Sequence, residues 1–395
     1  MEVLETGVLS GFRGVAGSDF FGGPQVKSFE QEWSDFVGSN HAVGFNSLTS
    51  GLFAMVGAAG VGPGDEVIVS PYTMSASATC ALAYGAIPVF ADIDPQTYCL
   101  DPDSIRRRIS ERTKAIVVVH LFGFPAPMDD IMALAREHDL VVIEDAAQAP
   151  GGLYRGQHVG TIGHMGGFSL NYHKTIHSGE GGIIVTNDDN LAIRLQLIRN
   201  HGEVVVDEMD IQEIGNLFGG NTRMTEIQAA IGRQQLRKLD FLTKTRINLA
   251  RVLDEGLEDV PGITPQIVNP EDRHVYYFYP MCFDEEIWEL SRDTFVRASQ
   301  AEGIEMRQGY VRPIYWEPLY QRRVAFAGGN FPFDLIDPMP EYPRGLCPMT
   351  EEAHESSLIF GKFCRWPLTS DHALQVLEVV RKVWDHRGEL RNIKF

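Results

Sequence analysis

Residues 115–145, AIVVVHLFGFPAPMDDIMALAREHDLVVIED, contain two apolar runs separated by a segment with helical periodicity. The runs, 115–119 and 140–143, lack the polar alternation of a strand with one face in water, so they predict strands buried on both faces. The segment 129–138 places Asp129 at an expected helix N-cap and spaces its apolar residues along one helix face. Strand, helix and strand in this order indicate an α/β fold with a parallel sheet.

The same alternation extends over about residues 40–190, where further strand-like runs occur at 66–69, 87–90 and 182–185. Repeated over this length, it predicts a doubly wound α/β large domain whose mostly parallel central sheet is covered by helices. After about residue 245 the pattern changes to α+β with longer loops. We therefore predict a large domain at 1–245, which includes an N-terminal substrate-loop segment, and a smaller α+β C-terminal domain at 246–395.

Three features of the later sequence carry local predictions. Residues 222–240 predict a helix, with Thr225 and Gln228 spaced as a capping box. Residues 321–350 are rich in Gly, Pro and Phe and predict an irregular segment. A final amphipathic helix is expected to close the smaller domain. The residues predicted to share one face are Met224, Ile227 and Ile231 in the first helix, and Leu374, Leu377, Val380 and Trp384 in the last.

Composition excludes several classes of protein. The 395 residues carry a formal net charge of −19, and this field repels a nucleic acid backbone. No apolar run approaches the roughly 20 residues that span a bilayer. The five cysteines are scattered and contain no CxxC pair, which argues against a disulfide framework or a zinc ribbon and favours a reducing compartment. We expect a cytoplasmic protein without nucleic acid or membrane partners.

Asp145 follows four apolar residues at the end of a predicted strand. In open α/β sheets ligands bind beyond the carboxyl ends of the strands, and a desolvated carboxylate there requires a cation. A protonated pyridine nitrogen is one such cation. Capping of a following helix is the alternative role for Asp145, and the residues by themselves do not choose between the two.

Lys174 lies in a short polar segment between two strand-like runs, ahead of the glycines at 179 and 181–182. Burial there would favour its neutral, nucleophilic amine, the form that Schiff-base formation requires. A solvated surface lysine is the alternative. His173 and His177 are four residues apart, but without a third nearby ligand they do not predict a metal site.

The segment 46–51, NSLTSG, precedes an apolar helical run. Hydroxyl side chains and free backbone N–H groups at a helix N-terminus favour a phosphate, although serine and threonine are also ordinary N-caps.

In order and spacing, these stretches resemble the DegT-type sugar aminotransferase family, which uses pyridoxal 5′-phosphate (PLP) on the aspartate aminotransferase fold, PLP-dependent transferase fold type I. The resemblance runs from Gly22 to about residue 320. Each motif is common alone, whereas their joint order is specific. The matching segments are 62–67 (GPGDEV), 88–93 (PVFADI), 144–148 (EDAAQ), 178–182 (SGEGG), 199–202 (RNHG) and 220–230 (GNTRMTEIQAA).

The resemblance implies a role for each matching residue. Lys174 matches the lysine that binds PLP covalently and moves the proton, and Asp145 the acid that pairs with the pyridine nitrogen. Gln148 matches the residue near the ring hydroxyl. Asn221 matches a residue that reaches the phosphate from the partner subunit, which implies a homodimer with shared active sites. The residues matching the phosphate cradle are Thr49, Ser50 and Ser169.

The chain departs from the family at two cofactor positions. Leu48 stands where the family usually has glycine, so the phosphate loop cannot use the positive φ that glycine allows. Met74 stands where an aromatic residue usually stacks on the cofactor, and a thioether can still contact a ring. We therefore expect PLP to bind, with altered packing.

The resemblance further implies ping-pong transfer of an amino group from L-glutamate, or L-glutamine, to a keto-sugar, most often nucleotide-linked. A keto-cyclitol aminotransferase is an alternative, because relatives of that kind also carry a Cys-Pro followed by acidic residues, as at 347–352. A non-catalytic sensor of PLP or sugar is a third. We expect Tyr310 and Arg312, on the segment 310–320, to contact the substrate.

Overall fold

The computed structural model describes residues 2–391, which form a seven-stranded sheet, a four-stranded sheet and the helices around them. The strands, in chain order, are β1 (His41–Phe45), β2 (Glu66–Val69), β3 (Ile87–Phe90), β4 (Thr113–Val119), β5 (Val141–Asp145), β6 (Leu153–Tyr154), β7 (Gln157–His158), β8 (Met165–Ser169), β9 (Gly182–Thr186), β10 (Ile263–Pro265), β11 (Tyr279–Phe283), β12 (Met306–Gln308) and β13 (Leu358–Gly361).

Fifteen α-helices are assigned within residues 2–391, and none of them combines the length and apolarity that a membrane crossing requires. They are α1 (Glu2–Thr6), α2 (Pro24–Val37), α3 (Leu48–Ala58), α4 (Ala76–Leu82), α5 (Pro102–Arg108), α6 (Met128–His138), α7 (Asp189–Arg199), α8 (Glu226–Leu236), α9 (Leu239–Leu257), α10 (Glu285–Trp288), α11 (Arg292–Ala301), α12 (Pro318–Gln321), α13 (Pro348–Glu352), α14 (Ser370–Asp385) and α15 (Arg387–Leu390).

The large sheet has the strand order β1-β9-β8-β5-β4-β2-β3 and is parallel except at β9, which runs antiparallel to both of its neighbours. Helices cover both faces. Val117 and Ile143 pack on one face with residues of α3 and α4, while Ile116 and Val142 pack on the other with residues of α6. The predicted mostly parallel, doubly covered sheet is confirmed, because strands apolar at every position must bury both faces.

The small sheet, in the order β10-β11-β13-β12, is antiparallel and packs against α9, α11 and α14. Residue 245 lies inside the continuous helix α9. The division into 1–245 and 246–395 therefore stays a prediction, and its outermost residues, 1 and 392–395, lie outside the described part of the chain.

Several local predictions need correction. The helix predicted at 222–240 begins at Glu226 and ends at Leu236; its capping box of Thr225 and Gln228 is confirmed. Ile231 is 42% exposed, because α8 buries Ala229, Gly232 and Leu236 instead. Asp129 is not the N-cap of α6, because the helix begins one residue earlier, at Met128, and Asp129 takes part in its first turn.

In the last long helix, Leu377 and Val380 are buried as predicted, whereas Leu374 is 54% exposed because the buried face runs through Ala373, Val376 and Leu377. The segment 321–350 is mostly irregular, as predicted. It packs on the large domain, where the buried Tyr342 donates a hydrogen bond to the carbonyl of Pro88 (3.0 Å).

Glu144 fixes the loop that leads into β8. Its fully buried carboxylate accepts hydrogen bonds from the amides of Gly160, Ile162 and Gly163 at 2.6–2.7 Å and lies 2.8 Å from His120 Nε2. Removing it would leave one buried and two partly buried donors unpaired, and each such loss costs about 1–3 kcal/mol when the donor stays out of reach of water.

We therefore expect Glu144→Ala to lower the free energy of unfolding by roughly 4 kcal/mol in urea titration. The matched control is Glu137→Ala, which removes a carboxylate that is 57% exposed and 3.4 Å from Arg106. Its effect should stay below about 1 kcal/mol. Equal losses for the two variants would contradict the structural role of Glu144.

Candidate active site

A cavity of about 230 Å³ opens at the carboxyl ends of β5 and β8, beside the start of α3. Ten residues were predicted to form a site, and seven of them line this cavity: Thr49, Met74, Asp145, Gln148, Ser169, Lys174 and Tyr310. Because these positions span more than 250 residues of sequence, only the folded chain brings them together.

Asp145 is the last residue of β5 and is 4% exposed. One carboxylate oxygen accepts a hydrogen bond from Ser77 Oγ (2.7 Å), and the other accepts one from the amide of Ala147 (3.1 Å). No α-helix begins between β5 and β6, so Asp145 does not cap one. Among residues 2–391 no cationic side chain forms an ion pair with its carboxylate, which is buried and lines the cavity.

Lys174 lies in the turn that follows β8, where its amide donates a hydrogen bond to the carbonyl of Asn171 (2.9 Å). Its Nζ is 4.9 Å from the ring centroid of Tyr277. Burial lowers the pKa of Lys174 from 10.5 to about 8, while the charge of Asp145 opposes this shift and that of Lys362 adds to it. A substantial fraction of the amine is therefore neutral near pH 8.

A pH profile of Lys174 labelling checks this environment. Below pH 8 the amine should be mostly protonated, so its acylation rate in the cofactor-free protein should rise about tenfold per pH unit and level off above pH 8. Peptide mapping after competitive labelling measures the acylation rate of Lys174 at each pH. In Asp145→Asn the midpoint should fall, because the carboxylate that raises the pKa is gone. A midpoint near 10.5 would contradict the buried site.

The start of α3 presents backbone N–H groups to the cavity. Ser47 is the N-cap and accepts a hydrogen bond from the amide of Ser50 (3.1 Å), and Thr49 lines the cavity. The Ser50 hydroxyl donates to Asn46 Oδ1 (2.7 Å) and is not part of the lining. Leu48 has a helical conformation and packs in the core, so this turn needs no positive φ and the absent glycine costs nothing here.

Gln148 and Tyr310 form one wall of the cavity. The Gln148 amide donates a hydrogen bond to the Tyr310 hydroxyl (2.8 Å) and accepts one from the amide of Phe122 (2.7 Å). On the open side, Met74 is 64% exposed. Ser169, at the end of β8, is 9% exposed, and its hydroxyl accepts a weak hydrogen bond from the Asn171 amide (3.4 Å).

The remaining three predicted site residues lie elsewhere. Ser50 faces the helix cap, as described above. Asn221 is exposed, and its side-chain oxygen accepts a hydrogen bond from Arg223 Nε (2.7 Å). Arg312 lines a second pocket, where its Nε is 4.0 Å from Glu317. No group of three or more His, Cys, Asp or Glu side chains in the described range is arranged to hold a metal.

Sequence reasoning missed Ser77 and Tyr277. Ser77 lies on α4, 68 positions before the aspartate it contacts, and Tyr277 lies on the loop before β11. Neither belongs to a motif, and only the packing of distant segments shows that they belong to the site.

Comparison with known proteins places this chain among aminotransferases. The sequence model of the DegT/DnrJ/EryC1/StrS aminotransferase family matches residues 11–333. The chain is 37% identical over 364 residues to L-glutamine:2-deoxy-scyllo-inosose aminotransferase of Streptomyces lividus, covering 89% of this chain and 84% of the relative. It is 38% identical over 296 residues to GDP-perosamine synthase of Caulobacter vibrioides, covering 75% and 78%.

A solved structure agrees with the sequence comparisons. The X-ray structure of an aminotransferase from Psychrobacter cryohalolentis superposes with a TM-score of 0.83 at 30% identity, covering 98% of this chain and 95% of that one. Fold and sequence similarity thus extend over both sheets.

Proposed function

The chain belongs to the DegT/DnrJ/EryC1/StrS aminotransferase family, and from that premise we propose that it transfers an amino group from L-glutamate or L-glutamine to a nucleotide-linked keto-sugar. Members of this family are sugar aminotransferases, and PLP is their expected cofactor. The observation that carries the proposal is the shared cavity of Lys174 and Asp145: an amine with a lowered pKa beside a buried carboxylate that has no ion-pair partner.

The residues of the cavity fit PLP. The buried carboxylate of Asp145 suits a protonated pyridine nitrogen, since its own hydrogen bonds come only from a hydroxyl and an amide. The N-terminus of α3 suits the phosphate, with Thr49 and Ser169 proposed as hydroxyl donors, whereas the Ser50 hydroxyl is already bonded to Asn46. Lys174 supplies the amine, and Met74 and Gln148 are proposed to contact the ring.

When bound, PLP accepts the electron pair released as the Cα–H bond of the donor breaks. The chain's own groups direct this step. The negative charge of Asp145 favours the protonated ring nitrogen, which makes the cofactor a better electron acceptor. The Lys174 amine, neutral in part near pH 8, would remove the proton from Cα as general base and deliver it, as general acid, to C4′ of the cofactor.

A second acceptor class has a specific observation in its favour. A relative that aligns over 89% of this chain is named for a scyllo-inosose derivative, a keto-cyclitol, with L-glutamine as the donor. The segment Cys347-Pro348 followed by Glu351-Glu352 is the feature that the sequence shares with proteins of that kind. We therefore keep a keto-cyclitol as the alternative acceptor.

An acceptor panel tests the proposal. The enzyme is first converted with L-glutamate or L-glutamine to its amine form, which has lost the absorbance of the PLP form. Nucleotide-linked keto-sugars, free keto-sugars and keto-cyclitols are then added singly. We expect the PLP absorbance to return fastest with a nucleotide-linked keto-sugar. Faster return with a keto-cyclitol would select the alternative, and failure of both donors to convert the enzyme would overturn the function.

We also propose a homodimer in which Asn221 reaches the phosphate of the partner's cofactor. Two observations support it: Asn221 is exposed and lies outside its own chain's cavity, and large apolar side chains are exposed near that cavity, with Met74 at 64% and Tyr172 at 70%. Light scattering on the eluting protein should give the mass of two chains.

The cytoplasmic location stays a prediction.

A further inference from the structure

A second pocket, of about 540 Å³, lies between the start of α11, β12 and the segment that follows Tyr310. We call it the arginine pocket and define it by Arg292, Arg312, Arg344, His354 and Trp316. None of these residues lines the cavity of Lys174. Three arginines and two acids, Asp293 and Glu355, line the pocket, so its lining has a small positive formal charge in a chain whose formal net charge is −19.

The arginine pocket contains nitrogens that have no partner within the described chain. Arg292 is 4% exposed; its terminal nitrogens donate to the carbonyls of Ala353, Glu355 and Leu358, but its Nε has no partner. The indole nitrogen of Trp316, a residue 7% exposed, and Nδ1 of His354 are also unpaired. Unpaired buried donors are costly, and a ligand rich in acceptor oxygens would remove that cost.

The acidic residues around the pocket bind its arginines only weakly. Arg344 is 2.7 Å from Glu355, Arg312 is 4.0 Å from Glu317, and both arginine side chains are more than half exposed. Exposed pairs of this kind contribute little to stability, so an anionic ligand can replace either carboxylate at small cost. The third acid, Asp293, is 3.7 Å from Arg292 and is also exposed.

The ring of Trp316 holds Arg344 in place. The guanidinium carbon lies 4.0 Å from the ring centroid. A stacked guanidinium keeps the N–H groups of its edge available, and these match the oxygens of a phosphate in bidentate geometry. We propose that the arginine pocket binds the phosphate groups of a small phosphorylated molecule.

Two tyrosines link the lining of the active-site cavity to Arg292 of the arginine pocket. Tyr310 lines the cavity, and its amide donates a hydrogen bond to the Tyr72 hydroxyl (2.7 Å). Tyr72 is close enough to Arg292 for the arginine charge to oppose the rise in the tyrosine's pKa caused by burial. The proposed phosphate has two possible sources, the substrate of the neighbouring site or a separate effector. The experiment below distinguishes these two sources.

Calorimetric titration with inorganic pyrophosphate tests the proposal. The protein carries PLP fixed by borohydride, so that the phosphate site of the cofactor is filled. We expect one site per chain, and at least a tenfold higher Kd in the double variant Arg312→Gln, Arg344→Gln. Both positions are exposed, so the fold should persist, as circular dichroism can verify. The matched control is Arg307→Gln, an exposed arginine on β12 that pairs with Glu305 outside the pocket.

Absence of binding to the unsubstituted protein, or equal Kd values for it and the double variant, overturns the proposal. If binding is found, steady-state kinetics identify the source of the phosphate. Competition between pyrophosphate and the acceptor indicates a phosphate carried by the substrate, whereas non-competitive inhibition indicates a separate effector. The titration requires no turnover, so a failure of the proposed aminotransferase function would not be mistaken for a failure of the pocket.

Discussion

Replacing Lys174 with alanine is expected to lower the rate of amino transfer by about 10⁴-fold, the upper range for a positioned general acid–base. The amine is the one basic group of the cavity whose pKa, about 8, lies near the pH of a typical assay. Without it, the donor's Cα proton has no acceptor with matched basicity. Single-turnover loss of the PLP absorbance after addition of L-glutamate measures the effect.

Two controls separate this chemistry from structural damage. Methylamine, small enough to enter the space left by the side chain, should restore part of the rate in Lys174→Ala but not change that of the unsubstituted enzyme. Lys244→Ala removes a lysine that is 76% exposed on α9 and should keep full activity. In the unsubstituted enzyme, borohydride should attach PLP covalently to Lys174 and to no other lysine. Label on another lysine, or a variant with undiminished turnover, would remove Lys174 from its role.

Replacing Asp145 with asparagine should slow the same half-reaction by about 10³-fold, as removal of a preorganised electrostatic contact does in other enzymes. The amide keeps the shape of the side chain. Its oxygen can accept the hydrogen bond of the Ala147 amide and its nitrogen can donate one to the Ser77 hydroxyl, so the fold should persist. What it loses is the negative charge that favours a protonated ring nitrogen. PLP retention, measured by absorbance after gel filtration, should weaken far less than the rate.

A graded variant sharpens this prediction. Ser77→Ala removes one hydrogen bond from a hydroxyl to the Asp145 carboxylate but leaves the charge. The rate should therefore fall by only about tenfold, in line with a bond to a charged group worth about 1.5 kcal/mol. If Ser77→Ala and Asp145→Asn proved equally slow, position rather than charge would be the contribution of Asp145. Unchanged turnover in Asp145→Asn would exclude its proposed role.

Residue patterns predicted the fold class because they record burial along short stretches of chain. The uninterrupted apolar run at 140–143 predicted a strand covered on both faces, and Val142 and Ile143 indeed pack on opposite sides of the sheet. The capping box of α8 was predictable for the same reason, because its two residues, Thr225 and Gln228, are only three positions apart. Which face of each helix is buried was not predictable. Ile231 and Leu374 fit an apolar period, but no neighbouring element among residues 2–391 covers them.

The candidate site was predictable only in part. Lys174 and Asp145 stand at positions that local sequence and the family motifs single out, and both line the cavity. Arg312 was expected at the substrate because it lies on the segment 310–320, which was expected to help form the substrate pocket. The structure places it in the arginine pocket and outside the lining of the Lys174 cavity, and its contact with the substrate stays a prediction.

The sequence by itself determined the class of fold and, through the family motifs, singled out the lysine and the acid that we propose to be reactive. Only the tertiary structure decided what surrounds them: Ser77 beside Asp145, Tyr277 beneath Lys174, and Tyr310 against Gln148, 162 residues away along the chain. The physical reason is the distance along the chain over which each property is determined. Strand burial and helix caps depend on neighbours a few residues apart, whereas a pKa or a binding pocket depends on every group within several ångströms, whatever its place in the chain.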